Sequence, residues 1–412
     1  MPGQFPAAYA TLARRVSFAS MLRGLAGILG LWAVGAIALR AIVIPPEQCP
    51  PVTPDEARAA AIAAAVWIER AQATDGSYIY EYDREANIEP GGYNVVRHAG
   101  VTMSLYQLAA EGEPAGLATA DRGLEWMAAN LIRHDDWAAL RDPYSGSVKL
   151  GATALMLAGL EQRRFATGDE QHDELMRELA RFMLVLQLED GAFLELWDPA
   201  TEQPNPLYRS KYATGEAFWA LTLMYRLFPG EGWDVPALAV ADYLALHRDE
   251  VENQKFPPWA DQWAAYGLSE MADWPLSDAQ VEYARSLAER FGLLVRAESQ
   301  RTTSWWSELW HGRQARAAGM GTWVEGLTSL SRLAEADPRM HDMIDAIAER
   351  AACGAGMLYV RQVTAGEAAG GERPDLLEGA WFTEGVTRMD DQQHALSGLI
   401  RSEGIIARRE GE

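Results

Sequence analysis

A group of residues near the carboxyl end of the chain has the types and spacing that acid–base chemistry requires. Asp390 and Asp391 are adjacent, and His394 follows three or four positions later. Residues at that spacing share one face of a helix, so a carboxylate would lie beside an imidazole. Such a pair can exchange protons near neutral pH, although acids at a helix start also simply complement its dipole. We predict that Asp390, Asp391 and His394 are catalytic and that Gln393 binds substrate.

A second group consists of Tyr93, Asn94, Arg97 and His98, where another helix is predicted to begin. A cation in the first turn of a helix opposes the helix dipole, and this unfavourable placement favours a functional role for Arg97. Arginine can hold a carboxylate or phosphate through two parallel hydrogen bonds. We predict that Tyr93, Asn94 and Arg97 bind substrate and that His98 is catalytic.

Tryptophan is abundant in the segments that we expect to be loops. The chain has 15 tryptophans, and more than half of them fall in or beside long loops. Indole faces stack on sugar rings and also shield carbocations, so this enrichment indicates a ligand cleft without naming the ligand. Burial in the core is the structural alternative. Glu216 is a further candidate catalytic carboxylate. The other predicted substrate-binding residues are Trp259, Asp261, Trp263, Trp305, Trp306 and Trp381.

Amphipathic segments with the period of a helix recur along the chain after a capping box at Thr53–Glu56. No segment shows a series of alternating strands. The predicted helices are twelve, at 54–72, 95–111, 116–132, 148–166, 170–188, 210–228, 235–247, 259–272, 278–296, 319–335, 338–362 and 390–402.

The links between these helices are of two kinds. Links that follow an even-numbered helix are short, such as Glu111 to Pro114, whereas links that follow an odd-numbered helix are long and rich in Gly, Pro, Asp and Trp. Short links join antiparallel neighbours, so all the long links would collect at one end of the domain. Because function concentrates on elaborated loops, we predict the site at that end.

A short motif at the end of the first helix recurs 115 residues later, and Gly100 and Gly215 keep the same offset. An offset of four helices indicates repeated hairpins. Glycine near the start of an inner helix, as at Gly151 also, allows close approach at the mouth of a barrel. The two copies of the motif are Gln72-x-x-Asp75-Gly76-x-Tyr78 and Gln187-x-x-Asp190-Gly191-x-Phe193.

This Gln-x-x-x-Gly-x-aromatic pattern resembles the repeat of the (α/α) toroid proteins, which include six-hairpin glycosidases, polysaccharide lyases, protein prenyltransferases and terpenoid cyclases. The resemblance covers residues 54–402 and implies an all-α (α/α)6 barrel, in which six helical hairpins close into a ring. The aromatic residue is Tyr78 or Phe193, where cyclases typically have Trp. Since this fold carries many chemistries, it does not assign a function by itself.

The amino-terminal region is predicted to be a membrane anchor. Residues 21–44 can cross a hydrocarbon core if Arg23 and Arg40 extend to its two surfaces. Arginines precede the apolar run and no acid does, which places the main domain outside the cytoplasm. A signal peptide cleaved near Ala38 is the alternative. The predicted organisation is a cytoplasmic tail at 1–20, a transmembrane helix at 21–44, a linker at 45–53 and the toroid domain at 54–412.

The charge balance restricts the partners. The chain has 36 basic and 58 acidic residues, a formal net charge of −22. Such a surface repels nucleic acid, and it disfavours a strongly anionic substrate unless a local basic pocket overrides it. Cys49 and Cys353 could form one bridge, but we expect two inert thiols. No metal-ligand spacing is present, so we predict neither a metal nor a cofactor.

Three functions are compatible with these features. The first is a membrane-anchored, extracytoplasmic carbohydrate-active enzyme, a glycoside hydrolase, lyase or epimerase acting on an envelope glycan by carboxylate and histidine catalysis. The second is a non-catalytic binding or assembly protein of the envelope. The third is a terpenoid-cyclase-like isoprenoid enzyme. The sequence has no Asp-x-Asp-Asp motif, which disfavours this third function. We favour the first.

Overall fold

The computed structural model describes residues 18–40, 44–254 and 259–411. The chain divides into two compact units. One consists of residues 1–47 and 300–313, and the other of residues 48–299 and 314–412. The described part is helical, with short strands in the loops. Its helices are α1 (Phe18–Ala38), α2 (Pro54–Arg70), α3 (Val95–Ala110), α4 (Leu117–Ala129), α5 (Leu150–Thr167), α6 (Asp173–Leu186), α7 (Ala213–Leu227), α8 (Asp234–Leu246), α9 (Arg248–Val251), α10 (Gln262–Glu270), α11 (Asp278–Ser299), α12 (Trp305–His311), α13 (Ala317–Ala336), α14 (Ile344–Arg361), α15 (Ala365–Ala368), α16 (Pro374–Leu377) and α17 (Met389–Glu410), with a 3-10 turn at Pro338–Met343.

Six helices of the larger unit form a closed inner ring. Each packs on the next in the order α3, α5, α7, α10, α13 and α17, and α17 packs back on α3. Helices α2, α4, α6, α8, α11 and α14 lie outside this ring. The twelve predicted helices are therefore confirmed, with boundaries shifted by a few residues. In α3 every residue from His98 to Leu108 is buried, as expected for a helix enclosed on all sides.

The repeated motif joins three of the six outer helices to the next one. The glutamine amide at the end of one outer helix donates to a carbonyl in the first two turns of its neighbour. The structure contains a third copy, which the sequence comparison missed because its loop is longer; this copy closes the ring from α14 to α2. The three bonds are Gln72 to Thr119 (2.9 Å), Gln187 to Pro236 (3.1 Å) and Gln362 to Ala60 (2.8 Å).

The glycines of this motif have a specific steric role. Gly76, Gly191 and Gly379 all have φ between +84° and +90°. A Cβ atom would lie 2.0 Å from the carbonyl oxygen of Ala239 at Gly191 and 2.5 Å from that of Ala63 at Gly379. Glycine is therefore required both by the left-handed backbone and by the close approach of the next outer helix.

The long loops carry seven short strands in three antiparallel sheets. Strand β1 pairs with β7, with Glu81 opposite Arg388, so the first long loop is hydrogen-bonded to the last. This pairing joins the two ends of the larger unit's chain beside α3 and α17. The strands are β1 (Glu81–Asp83), β2 (Leu131–His134), β3 (Trp137–Leu140), β4 (Val148–Lys149), β5 (Leu196–Asp198), β6 (Gln203–Asn205) and β7 (Val386–Arg388), in the sheets β1-β7, β2-β3 and β4-β5-β6.

The smaller unit contains the amino-terminal helix and the tryptophan-rich segment 300–313. Among the described residues, one helix is long and apolar enough to cross a membrane, from Ala19 to Ala38, and its side chains are exposed. Its 21 residues span roughly 30 Å at about 1.5 Å each. The remainder of the predicted tail, residues 1–17, and residues 41–43 of the predicted 21–44 span lie outside the described residues.

Cys49 and Cys353 form a disulfide with an S–S distance of 2.03 Å. The expectation of two inert thiols was wrong. The bridge fastens the segment that precedes α2 to the outer helix α14, which lies beside α2 in the ring. Sequence spacing could not reveal the pairing because 304 residues separate the two cysteines.

Candidate functional site

A cavity of about 520 Å³ opens at the amino ends of the inner helices, where the long loops collect. Its walls therefore lie at the end of the domain that the link lengths predicted. The lining includes eight of the residues predicted from the sequence to bind or react: Asn94, Arg97, Glu216, Trp259, Trp263, Asp390, Gln393 and His394.

Glycines in the first turns of the inner helices let polar groups of neighbouring helices approach this mouth. A Cβ atom at Gly321 of α13 would lie 2.3 Å from the carbonyl carbon of His394, so α13 and α17 touch backbone to backbone there. At three other glycines the added atom would meet a side-chain oxygen of an adjacent inner helix or its N-cap. The pairs are Gly100 with Gln393 (2.4 Å), Gly151 with Glu216 (2.2 Å) and Gly215 with Asp261 (2.8 Å).

His394 faces the cavity and is held by a buried carboxylate. Its Nδ1 lies 3.0 Å from Oε2 of Glu325, which is fully buried in α13. Burial acts to lower the pKa of His394, but Glu325, Asp390 and Asp391 outweigh it, so the pKa is raised above the ordinary value for histidine. A carboxylate on Nδ1 fixes the ring and leaves Nε2 for proton transfer, as in other acid–base dyads.

Glu216 is a second candidate for proton transfer. It lies in the first turn of α7, is almost fully buried, and lines the cavity beside Gly151. Burial, with the nearby carboxylates of Asp261 and Glu195, raises the pKa of Glu216 to about 8. The group is therefore mostly protonated at neutral pH and can act as a proton donor.

Asp390 is flanked by two guanidinium groups. Its carboxylate lies 3.2 Å from Nε of Arg97 and 3.3 Å from Nε of Arg388. Arg97 also donates a hydrogen bond to the hydroxyl of Tyr80. The cation that the helix dipole disfavoured is thus compensated by an aspartate from α17. Arg97, Arg388 and Asp390 form a charged rim on the cavity that can bind polar groups.

His98 does not line the cavity, which does not favour its predicted catalytic role. It is fully buried, stacks on Trp126, and its Nε2 lies 2.9 Å from the carbonyl oxygen of Gly123. The hydroxyl of Tyr93 is hydrogen-bonded to the other ring nitrogen of His98, Nδ1, at 2.6 Å. Burial lowers the pKa of His98 to about 4, so this histidine is neutral and structural. Tyr93 is likewise engaged in this contact and does not line the cavity.

Asp391 is also structural. The side chain is buried and accepts hydrogen bonds from the backbone nitrogens of Arg388 (3.0 Å) and Ala318 (3.1 Å), and it forms an ion pair with Arg316. Burial raises the pKa of Asp391, although Arg316 opposes this shift. These contacts join the amino ends of α13 and α17, and Asp391 does not line the cavity, so we propose a structural role in place of the predicted catalytic one.

We predict that Asp391→Ala lowers the free energy of unfolding by roughly 3 kcal/mol, because it leaves two backbone donors and Arg316 without their acceptor. The matched control is Asp390→Ala, which removes the ion pairs with Arg97 and Arg388 but leaves the two backbone donors of Asp391 satisfied, so its loss should be smaller. Urea unfolding followed by circular dichroism measures both. Equal losses in the two variants would contradict the structural assignment of Asp391.

Asp261 caps α10 and does not line the cavity. Its carboxylate accepts hydrogen bonds from the backbone nitrogens of Trp263 (3.0 Å) and Ala264 (3.2 Å) and pairs with Arg248 in a fully buried ion pair. This geometry does not favour the predicted substrate contact, because an N-cap aspartate directs its oxygens back to the helix.

Three predicted tryptophans also lie elsewhere. Trp381 is buried, and its indole nitrogen donates to the carbonyl of Leu358 (2.8 Å). It stands two residues after Gly379 and is therefore the aromatic residue of the third motif copy. Trp305 and Trp306 belong to the smaller unit. None of the three is part of the cavity lining.

The prediction missed several cavity residues. Lys149, Glu195, Gln262, Trp323 and Arg388 line the cavity. The available signal was position, because each lies in a long loop or in the first two turns of an inner helix. Glu325 lies deeper; its signal was a carboxylate on the buried side of α13, next to Val324 and followed by Gly326 and Leu327. Within the described residues no cluster of three or more His, Cys, Asp or Glu could hold a metal ion.

Solved structures that align with most of this chain identify its fold. Cellobiose 2-epimerase from Spirochaeta thermophila DSM 6192 aligns with a TM-score of 0.59 and 14% identity, covering 87% of this chain and 98% of that one. The chain has the (α/α)6 toroid fold. The toroid aligns also with an unsaturated glucuronyl hydrolase specific for heparin (TM-score 0.57, 12% identity, 87% and 98% covered) and with the GH76A α-1,6-mannanase from Salegentibacter sp. HEL1_6 (0.54, 12%, 85% and 100%).

These neighbours are carbohydrate-active enzymes of different reaction types. At such identities the likeness establishes the toroid and leaves the reaction to be argued from the cavity. No protein-family model matches the sequence, and no curated protein matches it either.

Proposed function

We propose that this toroid is an extracytoplasmic glycan-processing enzyme that uses Glu216 as the proton donor and His394, oriented by Glu325, as the proton acceptor. The observation that carries the proposal is the pairing of a neutral carboxylic acid and a carboxylate-bound imidazole on the wall of one cavity. Hydrolysis, elimination and epimerisation of sugars all require a proton donor and a proton acceptor at the same sugar.

The remaining walls of the cavity suit a sugar. Trp259 and Trp323 are partly exposed and can stack on a sugar ring, whereas Trp263 is buried against Trp219 and Tyr266. Asn94 and Gln393 are among the groups that can hydrogen-bond hydroxyls. An inactive variant of the GH76A mannanase binds α-1,6-mannotetraose on the same fold (TM-score 0.54, 13% identity). This polar and charged lining does not favour an isoprenoid chain, which would need an apolar tube.

The local charge of the cavity permits an acidic glycan despite the net charge of −22. Arg97, Lys149 and Arg388 line it, against Glu195 and Asp390, while Glu216 is largely neutral. The local balance is therefore weakly positive. Substrates containing uronic acids belong beside neutral oligosaccharides in any test.

The disulfide and the amino-terminal helix support the location of the proposed enzyme. The bond between Cys49 and Cys353 persists in oxidising compartments outside the cytoplasm. Helix α1 is long enough to anchor the chain, and the basic residues that precede it in the sequence favour a cytoplasmic amino end. We therefore propose a single-pass membrane protein with its toroid outside the cytoplasm.

We expect the purified full-length chain to bind and convert at least one oligosaccharide from a panel of neutral and uronic-acid-containing glycans. Reducing-end release reports hydrolysis, ultraviolet absorbance of an unsaturated product reports elimination, and NMR of an unchanged chain length reports epimerisation. Trp259→Ala should weaken binding by about tenfold because one stacking face is lost. Binding without any turnover would assign the toroid as a binding protein, and a folded chain that binds no glycan would contradict the proposal.

A further inference from the structure

The tryptophan-rich segment displays a cluster of large apolar side chains to solvent. On helix α12 the exposed fractions are 72% for Trp305, 43% for Trp306, 66% for Leu309 and 52% for Trp310, and only Ser307 is buried. The three indoles contact one another, with ring centroids 5.3 Å and 5.9 Å apart along the series. A contiguous apolar surface of this kind marks a contact with a partner or a membrane.

The segment is held in shape by its own polar bonds, so this exposure is built into its fold. The hydroxyl of Ser304 caps α12 by accepting from the nitrogen of Ser307 (3.2 Å), and Ser307 accepts from the nitrogen of Thr302 (2.9 Å). Nε of Arg301 donates to the carbonyl of His311 (2.7 Å) and ties the end of the helix to its beginning. The polar groups are thereby used internally, and the indoles are left on the outside.

The position of residues 300–313 beside the amino-terminal segment favours a lipid bilayer as the partner. Residues 300–313 form one compact unit with residues 1–47, which include α1. Nε2 of Gln300 donates to the carbonyl of Pro45 (3.1 Å), one residue after the apolar stretch that ends at Ile44. If α1 spans the bilayer with its amino end in the cytoplasm, Pro45 and Gln300 lie at the level of the outer headgroups.

The chemistry of the segment also suits that level. Tryptophan prefers the boundary between headgroups and acyl chains because its ring is apolar and its N–H is polar. Residues 300–313 contain Arg301 and Arg313 but one acid, Glu308, in contrast to the chain's net charge of −22. This segment can therefore approach a bilayer that the acidic remainder of the surface would not attract.

We propose that Trp305, Trp306, Leu309 and Trp310 insert into the outer-leaflet interface of the lipid bilayer and form a second membrane contact beside α1. The inference depends on the proposed topology of the anchor and is independent of the reaction in the cavity. A monotopic contact of this type buries apolar side chains at the depth of the headgroup–acyl boundary.

The test uses the full-length chain in phosphatidylcholine nanodiscs, with and without bromine at shallow acyl positions. The fluorescence of the parent minus that of a Trp305→Phe/Trp306→Phe/Trp310→Phe variant isolates the three indoles. We expect this difference emission to fall about twofold in brominated lipid. Difference emission that is unaffected by brominated lipid would overturn the proposal.

The matched control is Trp32→Phe, since Trp32 lies within α1. Its difference emission reports on the anchor, so failure of the anchor and failure of the α12 contact are distinguished. Neither measurement involves a glycan, so both remain valid if the cavity has another function. Quenching that is lost when each disc holds a single copy of the chain would assign the surface to self-association and would overturn the membrane contact.

Discussion

Replacing Glu216 by glutamine is expected to lower the rate of glycan conversion by about 10²- to 10⁴-fold while glycan binding is retained. Glutamine has the size of glutamic acid and matches its neutral form, which is the form that burial favours at neutral pH. The substitution therefore removes the transferable proton and little else. Turnover under saturating substrate gives kcat, and calorimetric titration gives the affinity.

Glu161→Gln is the matched control for that experiment. Glu161 is fully buried on the neighbouring inner helix α5, burial also raises its pKa, and it does not line the cavity. Its substitution should leave kcat within about threefold of the parent, as for a change remote from the reacting atoms. If both variants lose activity equally, Glu216 is not the proton donor.

The pH dependence of Glu216 has a definite sign for activity and for stability. A proton donor must be protonated, so kcat should decline as the pH rises through about 8. The unfolded chain ionises this carboxyl near its ordinary pKa, whereas the folded chain retains the proton to about 8. Its contribution to stability is therefore complete at low pH and is lost between about 4.5 and 8, by up to roughly 1.4 kcal/mol per pH unit. Glu216→Gln should remove that loss.

Substitution of Glu325 by glutamine is expected to shift the acidic limb of kcat/KM to lower pH and to reduce kcat by about 10²-fold. The carboxylate is the principal group that raises the pKa of His394 against the effect of burial. A base must be neutral to accept a proton, so the acidic limb follows the pKa of His394. The pH profile of the variant, measured beside the parent, gives both quantities.

Two further variants make this prediction specific. Glu325→Asp retains the charge but lengthens the 3.0 Å contact with His394, so the limb should stay near its original position while kcat falls. His394→Asn should eliminate the limb altogether. A Glu325→Gln profile whose acidic limb coincides with that of the parent would show that His394 is not the base.

The twelve helices and the loop-bearing end were predictable because they depend on local patterns, and the ring was implied by the resemblance of the Gln–Gly motif to the (α/α) toroid repeat. Helical periodicity and the alternation of short and long links determine the hairpins, and hairpins in a ring bring the inner helices' amino ends to one mouth. The Gln–Gly motif was readable twice. Its third copy, formed by Gln362, Gly379 and Trp381, was hidden because a longer insertion separates the glutamine from the glycine in the sequence.

Which candidate side chains reach the cavity was decided by tertiary structure. Asp390 and Asp391 are adjacent, yet one turns toward the cavity and the other into the α13–α17 junction, because successive helical residues point about 100° apart. His98 does not reach the cavity because its ring stacks on Trp126 and its Nε2 contacts the carbonyl oxygen of Gly123, and both partners come from another part of the chain.

The sequence by itself determined the helices and the end of the domain that carries the site, because periodicity and link length are local properties of the chain. Only the tertiary structure decided that Glu325 supports His394, that Cys49 meets Cys353, and that the exposed tryptophans of α12 belong with the amino-terminal helix. These pairings join positions 69 to 304 residues apart or unite separate segments. Their existence depends on how the ring closes, which no local pattern encodes.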